Sequence, residues 1–277
     1  MHALPTSTEN GFGLAYERSQ GPQAKPPGIA VPQPPSWSGS AYPCGSSVSV
    51  SNSMTTGTMG CLLRDRGGRL QGLSANHVTG SCLMTPHGMP ITAPGLIDIS
   101  ASGMDPFTIG RHTDARGWMA GLQEYVDVAQ NRDASIFHIL DPDRVTSRQG
   151  AAFDTPALVA DPDELTSKMR VRKVGRSTGL TTGRIHAIAD EVVIEIHKRG
   201  VPDQVPFTDL VAIQGSDGGP FAEQGDSGAL VVGEGASGEV AIGIIVAVAA
   251  DGSLTYVAAL RPLLAEFGCE LVSGHNL

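Results

Sequence analysis

The chain is short of aromatic residues, basic residues and cysteines, and it holds no long apolar run. Seven Phe, four Tyr and two Trp make up 5% of its 277 residues, against 35 Gly and 19 Pro. So few rings and so many chain-breaking residues exclude long packed helices and favour short strands joined by many turns. Nineteen Lys and Arg against 28 Asp and Glu leave a formal net charge of -9. Nucleic acid and anionic membrane both attract a basic surface, so neither partner is expected. No segment approaches the roughly 20 apolar residues that span a bilayer. Residues 1–20 lack a basic stretch followed by an apolar one, so a cytoplasmic location is expected. Cys44, Cys61, Cys82 and Cys269 are sparse and lack C-x-x-C spacing, which points to free buried thiols. His112, His138, His186 and His197 are scattered without metal-ligand spacing, so no metal or cofactor is expected.

Hydrophobic residues still make up 40% of the chain, enough for a sizeable core. Residues 1–43 carry eight prolines in a Gly/Ser/Gln background, which predicts a flexible arm. From Ser46 onward short runs of Val, Ile, Leu and Thr alternate with Gly, Asp and Asn. Strands are predicted over 47–50, 60–63, 70–73 and 134–140, then 169–174, 183–188, 191–196, 210–213, 229–232, 240–248 and 255–258. The turn chemistry of residues 64–68 predicts a hairpin joining the second and third, its second strand running into His77. Residues 85–131 are broken by Pro86, Pro90, Pro94 and Pro106, and 123–129 reads as either strand or loop. A polar connection over 141–167 divides the chain into units at 44–150 and 151–277. A closing helix is predicted over 261–267, with Pro262 in its first turn and Gly268 ending it. The fold class is all-β, with two β-halves closed as barrels and a terminal helix.

Acyl transfer by serine needs a hydroxyl, an imidazole to take its proton, a carboxylate to fix the imidazole, and N–H donors for the oxyanion. Ser227 sits in Gly225-Asp226-Ser227-Gly228, between a glycine turn and an apolar strand. The N–H groups of Gly225 and Ser227 are the candidate oxyanion donors. His77 follows one predicted strand and Asp133 precedes another. Asp127, six residues earlier, also precedes a small apolar stretch and competes for the role of acid.

Residues 73–78 resemble the histidine motif of trypsin-like serine peptidases, 131–136 resemble their aspartate motif, and Gly225-Asp226-Ser227-Gly228 is identical to their serine motif. The order His, Asp, Ser is also that of the chymotrypsin-like members. The resemblance spans about residues 46–272. Residues 171–183 are similar to a block in intracellular bacterial and plant trypsin-like members, and 259–264 look like their closing helix. The resemblance implies two six-stranded antiparallel β-barrels and a serine endopeptidase working through an acyl-enzyme on a protein or peptide, with oligomeric state open. It also raises a disulfide between Cys61 and Cys82 around His77, as in many secreted relatives, as an alternative to free thiols. In those relatives the residue matching Asp226 pairs with a newly cleaved amine. No matching activation sequence is present, so either another cation meets Asp226 or water does. Lys173, Arg176 and Arg184 read as a solvated basic hairpin. By position relative to Ser227, Phe221, Val246 and Ala247 would form the substrate pocket, with no carboxylate at its floor and hence a small or apolar preference. Two other functions compete: a catalytically silent binding module, and a self-processing protease acting on its own N-terminal arm.

Overall fold

The computed structural model describes residues 41–99, 105–119, 127–198 and 201–277. The predicted hairpin forms from Cys61–Asp65 and Leu70–Ser74. Its turn is fixed where Asp65 Oδ1 accepts the N–H groups of Gly67 at 2.9 Å and Arg69 at 3.0 Å. Gly68 stands there at φ +80°, a conformation L side chains rarely adopt.

This hairpin supplies the second and third strands of an eight-stranded sheet. Its order is Cys269–Leu271, Cys61–Asp65, Leu70–Ser74, Ala134–Ile139, Phe107–Arg116, Pro90–Ala93, Ser47–Val50 and Thr56–Thr58. A second sheet runs Leu158–Val159, Gly238–Val248, Leu230–Gly235, Arg170–Gly175, Gly179–Ala189, Leu210–Gly215 and Thr255–Ala259. Gly238–Val248 also pairs with Thr255–Ala259, and this closes six strands into a barrel. The fold is therefore all-β with two barrel-like halves, but only the second has the expected closed six-stranded form. Among the described residues the edge strands of the first sheet do not pair with each other. The edge strand Thr56–Thr58 instead hydrogen-bonds the second half, its Thr58 N–H donating to the Ser227 carbonyl at 2.9 Å.

Three expectations change. Tyr42–Cys44, whose first two residues were assigned to the arm, is a strand parallel to Val145–Gln149, and Tyr42 is buried with its hydroxyl donating to the Ser47 carbonyl at 2.7 Å. Packing of that ring and its hydrogen bond offset the cost of ordering; residues 1–40 lie outside the described residues. The connection over 141–167 carries three short strands, Val145–Gln149, Phe153–Asp154 and Leu158–Val159. The final strand Cys269–Leu271 follows the helix Leu260–Phe267 but joins the first sheet, so the unit 151–277 does not stay within the second barrel. Gly268 ends that helix at φ +63°, as its sequence predicts. The two halves share a core, in which Leu73 and Ile136 of the first sheet join Val174, Leu230 and Ile244 of the barrel, closed by Leu260 and Leu263 of the helix.

Candidate active site

Leu70–Ser74 and Ala134–Ile139 are neighbours, with Ser74 opposite Ser135. The chain leaving the first strand and the chain entering the second therefore meet at one end of the sheet. There His77 lies in the single wide helical turn Asn76–Gly80, and Asp133 immediately precedes its strand. Asp133 Oδ1 accepts the His77 backbone N–H at 2.9 Å, and Oδ2 lies 2.6 Å from His77 Nδ1. A carboxylate only accepts, so the neutral imidazole carries its proton on Nδ1 and its lone pair on Nε2. Asp133 is 0% exposed and His77 is 9% exposed, so water does not compete for this contact. Asp127 is remote from this role: it is exposed and its side chain caps Val128–Gln130 by accepting the Ala129 N–H.

Ser227 is half-buried in a loop with glycines at φ +95° (Gly225) and φ +89° (Gly228) on either side. The loop is held by the first half: Thr58 N–H donates to the Ser227 carbonyl at 2.9 Å, and Thr58 Oγ1 donates to the Gly225 carbonyl at 2.9 Å. Gly57 is wedged between the two chemistries, because a Cβ there would stand 2.5 Å from Val78 and 2.9 Å from the Ser227 carbonyl oxygen. The histidine turn and the serine loop thus meet across one glycine. Among the described residues the N–H groups of Gly225 and Ser227 have no acceptor, an arrangement suited to receiving an oxyanion.

Asp226 is fully buried and meets a cation, Lys173, whose Nζ lies 3.2 Å from Oδ2. Lys173 is itself 0% exposed and also donates to Thr178 Oγ1 and to the Gly179 carbonyl at 3.1 Å, so its three N–H bonds are all used. Asp226 Oδ1 further accepts the N–H groups of Ser177 at 2.8 Å and Thr178 at 3.2 Å, and Oδ2 accepts the Thr178 hydroxyl and the Glu223 N–H. Burial pulls the Lys173 amine below its ordinary pKa, and the charge of Asp226 partly restores it. The expectation of a solvated basic hairpin holds only for Arg184, which is exposed. Arg176 grips Asp98 with Nε and Nη2, each at 2.5 Å.

The three residues expected to form a pocket are not brought together. Phe221 is 1% exposed and packs among Ile185, Ile213, Ile245 and Val257 inside the barrel, while Val246 and Ala247 belong to a different cluster with Leu254 and Tyr256. A buried aromatic ring gains more from the barrel interior than from lining a wet pocket. All four cysteines are free and buried, which removes the Cys61–Cys82 disulfide. Burial pushes the Cys82 thiol up to about 12, with the Asp133 charge adding to it. Sequence reading missed Thr58 and Asp98 altogether and gave Ser177 no role.

The folded chain has the chymotrypsin-like arrangement of two β-halves. Thermobifida fusca Protease A is similar over 84% of this chain and 100% of its own, at a TM-score of 0.54 and 18% identity. A glutamic acid specific serine protease matches 83% of this chain and all of its own at TM-score 0.55 and 14% identity. Cellulomonas bogoriensis chymotrypsin matches 84% and 100% at TM-score 0.51 and 12% identity. By sequence, residues 158–262 match the family described as the Nal1 C-terminal domain. No curated protein matches the chain significantly in sequence.

Proposed function

We propose that the chain is a serine endopeptidase in which His77, Asp133 and Ser227 act as a triad. The observation that carries this reading is the double contact of buried Asp133 with His77, made beside the Ser227 loop. Nε2 of His77 takes the proton of Ser227 Oγ as that oxygen attacks a peptide carbonyl, and the carbonyl oxygen turns to the N–H groups of Gly225 and Ser227. The proton passes to the leaving amine, and water then hydrolyses the acyl-enzyme by the same route. A cytoplasmic location belongs to the proposal, supported by four cysteines each buried as a free thiol. A fluorophosphonate probe should label wild type and not Ser227→Ala, with a peptide library cleaved only by wild type. Equal labelling of both proteins, or none of either, counts against the proposal.

A further inference from the structure

Beyond the triad, four groups form a chain of contacts that begins in the first half and ends at the candidate oxyanion hole. Asp98 is 5% exposed; it accepts Ser47 Oγ at 2.5 Å and holds the Arg176 guanidinium by two bonds at 2.5 Å. Arg176 Nη1 donates to Ser177 Oγ at 3.1 Å, and Ser177 Oγ donates to the Gln224 carbonyl at 2.5 Å. That carbonyl shares a peptide plane with the Gly225 N–H. In a trans peptide the two point in opposite directions, so a carbonyl fixed towards Ser177 turns the Gly225 N–H away from residues 176–178. The next carbonyl, that of Gly225, is fixed in turn by Thr58 Oγ1 at 2.9 Å. The peptide that precedes Gly225 is thus held by a side chain hydroxyl, and that hydroxyl is polarised by a guanidinium anchored in the other half.

We propose that Ser177, held by the Asp98–Arg176 pair, is a positioning residue that sets the Gly225 N–H in the oxyanion hole. The inference rests on the peptidase reading above. It is separable from the Asp226 network, because Asp226 meets Ser177 through its backbone N–H, which a side-chain substitution leaves in place. With the bond to Gln224 gone, the peptide is free to turn and one oxyanion donor is lost for part of the time. Loss of a whole donor costs about 10²- to 10³-fold in kcat, so a smaller effect of roughly 10- to 100-fold is expected.

The experiment compares wild type, Ser177→Ala, Ser177→Thr and Asp98→Asn by kcat, KM, Tm and inhibition by a peptide boronic acid, whose tetrahedral adduct places an oxygen in the hole. Ser177→Ala should lower kcat with little change in KM or Tm, and weaken the boronic acid by the same factor as kcat/KM. Ser177→Thr keeps the hydroxyl and should restore most of both. Asp98→Asn should move both in the same direction by a smaller factor. Ser177→Ala within threefold of wild type in kcat and in boronic acid inhibition overturns the inference while the peptidase stands. Should Ser177→Ala fail to fold, an unaltered kcat in Asp98→Asn overturns it instead. A wild type inert to both peptide and fluorophosphonate refutes the peptidase and the inference together.

Discussion

Replacing Asp133 by Asn tests the roles of His77 and Asp133 with almost no change in shape. Asp133 accepts twice from one residue, the His77 backbone N–H at 2.9 Å and the ring nitrogen Nδ1 at 2.6 Å. Asparagine has one oxygen and one NH2 for those two places. If the NH2 faces the backbone N–H, two donors meet in a site that is 0% exposed, and an unsatisfied buried donor costs roughly 1–3 kcal/mol. The other orientation prevails: the oxygen stays on the backbone N–H and the NH2 faces Nδ1. Nδ1 must then accept, so the imidazole proton moves to Nε2, where the lone pair is needed. A wrong-tautomer histidine lowers kcat by about 10⁴, equivalent to about 5.5 kcal/mol at 1.36 kcal/mol per tenfold. Steady-state hydrolysis of a library-selected peptide reads kcat and KM, and thermal unfolding confirms that the fold persists. A kcat within about tenfold of wild type would refute the reasoning, and Asp127→Asn, expected to be silent, would then be the variant to examine.

Gly57→Ala should cost about 10²-fold in kcat, because its Cβ drives the histidine turn and the serine loop apart by a fraction of an ångström to about one; a folded variant with normal turnover would show that this glycine does not set their spacing. Lys173→Met leaves the buried Asp226 carboxylate without its cation and should lower stability by about 3–5 kcal/mol in urea unfolding, whereas a loss below 1 kcal/mol would contradict a strong ion pair. In wild type the Lys173 amine loses its proton below the ordinary 10.5. The folded chain then binds fewer protons than the unfolded one between that lowered pKa and 10.5, so this group's proton linkage favours folding as pH rises through the window, even as the ion pair with Asp226 is lost. Turnover should accordingly fall in that window, and a kcat flat through it would break the link between Lys173 and the serine loop. A thiol reagent should find no fast-reacting cysteine in the native protein and four after unfolding, since all four are buried and burial raises each thiol's pKa.

The strands that alternate or run apolar, such as Leu70–Ser74 and Gly238–Val248, were legible because burial follows hydrophobicity directly. Phe107–Arg116 was not, since His112, Asp114 and the flanking Pro106 mask it; it is a strand because Pro90–Ala93 and Ala134–Ile139 pair with it on both sides. Val201–Phe207 hides behind Pro202 and Pro206, which a two-stranded ribbon tolerates because its outer edge needs no N–H donor. His77 and Asp133 were legible because each stands at the end of a readable strand, and the Ser74–Ser135 register joins those ends. Burial separates Asp133 from Asp127, which spacing alone left open. Lys173, Ser177, Asp98 and Thr58 act across gaps of about 40 to 170 positions, and no local pattern marks a lysine or a hydroxyl that will find its partner so far away.

The last strand, Cys269–Leu271, borders Cys61–Asp65, a segment made some 200 positions earlier. During synthesis the first sheet must therefore wait with that edge exposed until the barrel and the helix have emerged. The two halves are linked by a belt of late-made chain, and folding of the whole becomes one cooperative event. On the proposed peptidase reading this imposes an order on assembly: Ser227 is made after His77 and Asp133, and the Thr58 contacts that hold its loop form only then, so a partly made chain carries no working blade. Expressing residues 41–150 alone should accordingly yield an aggregating fragment, its unpaired edge open to other copies.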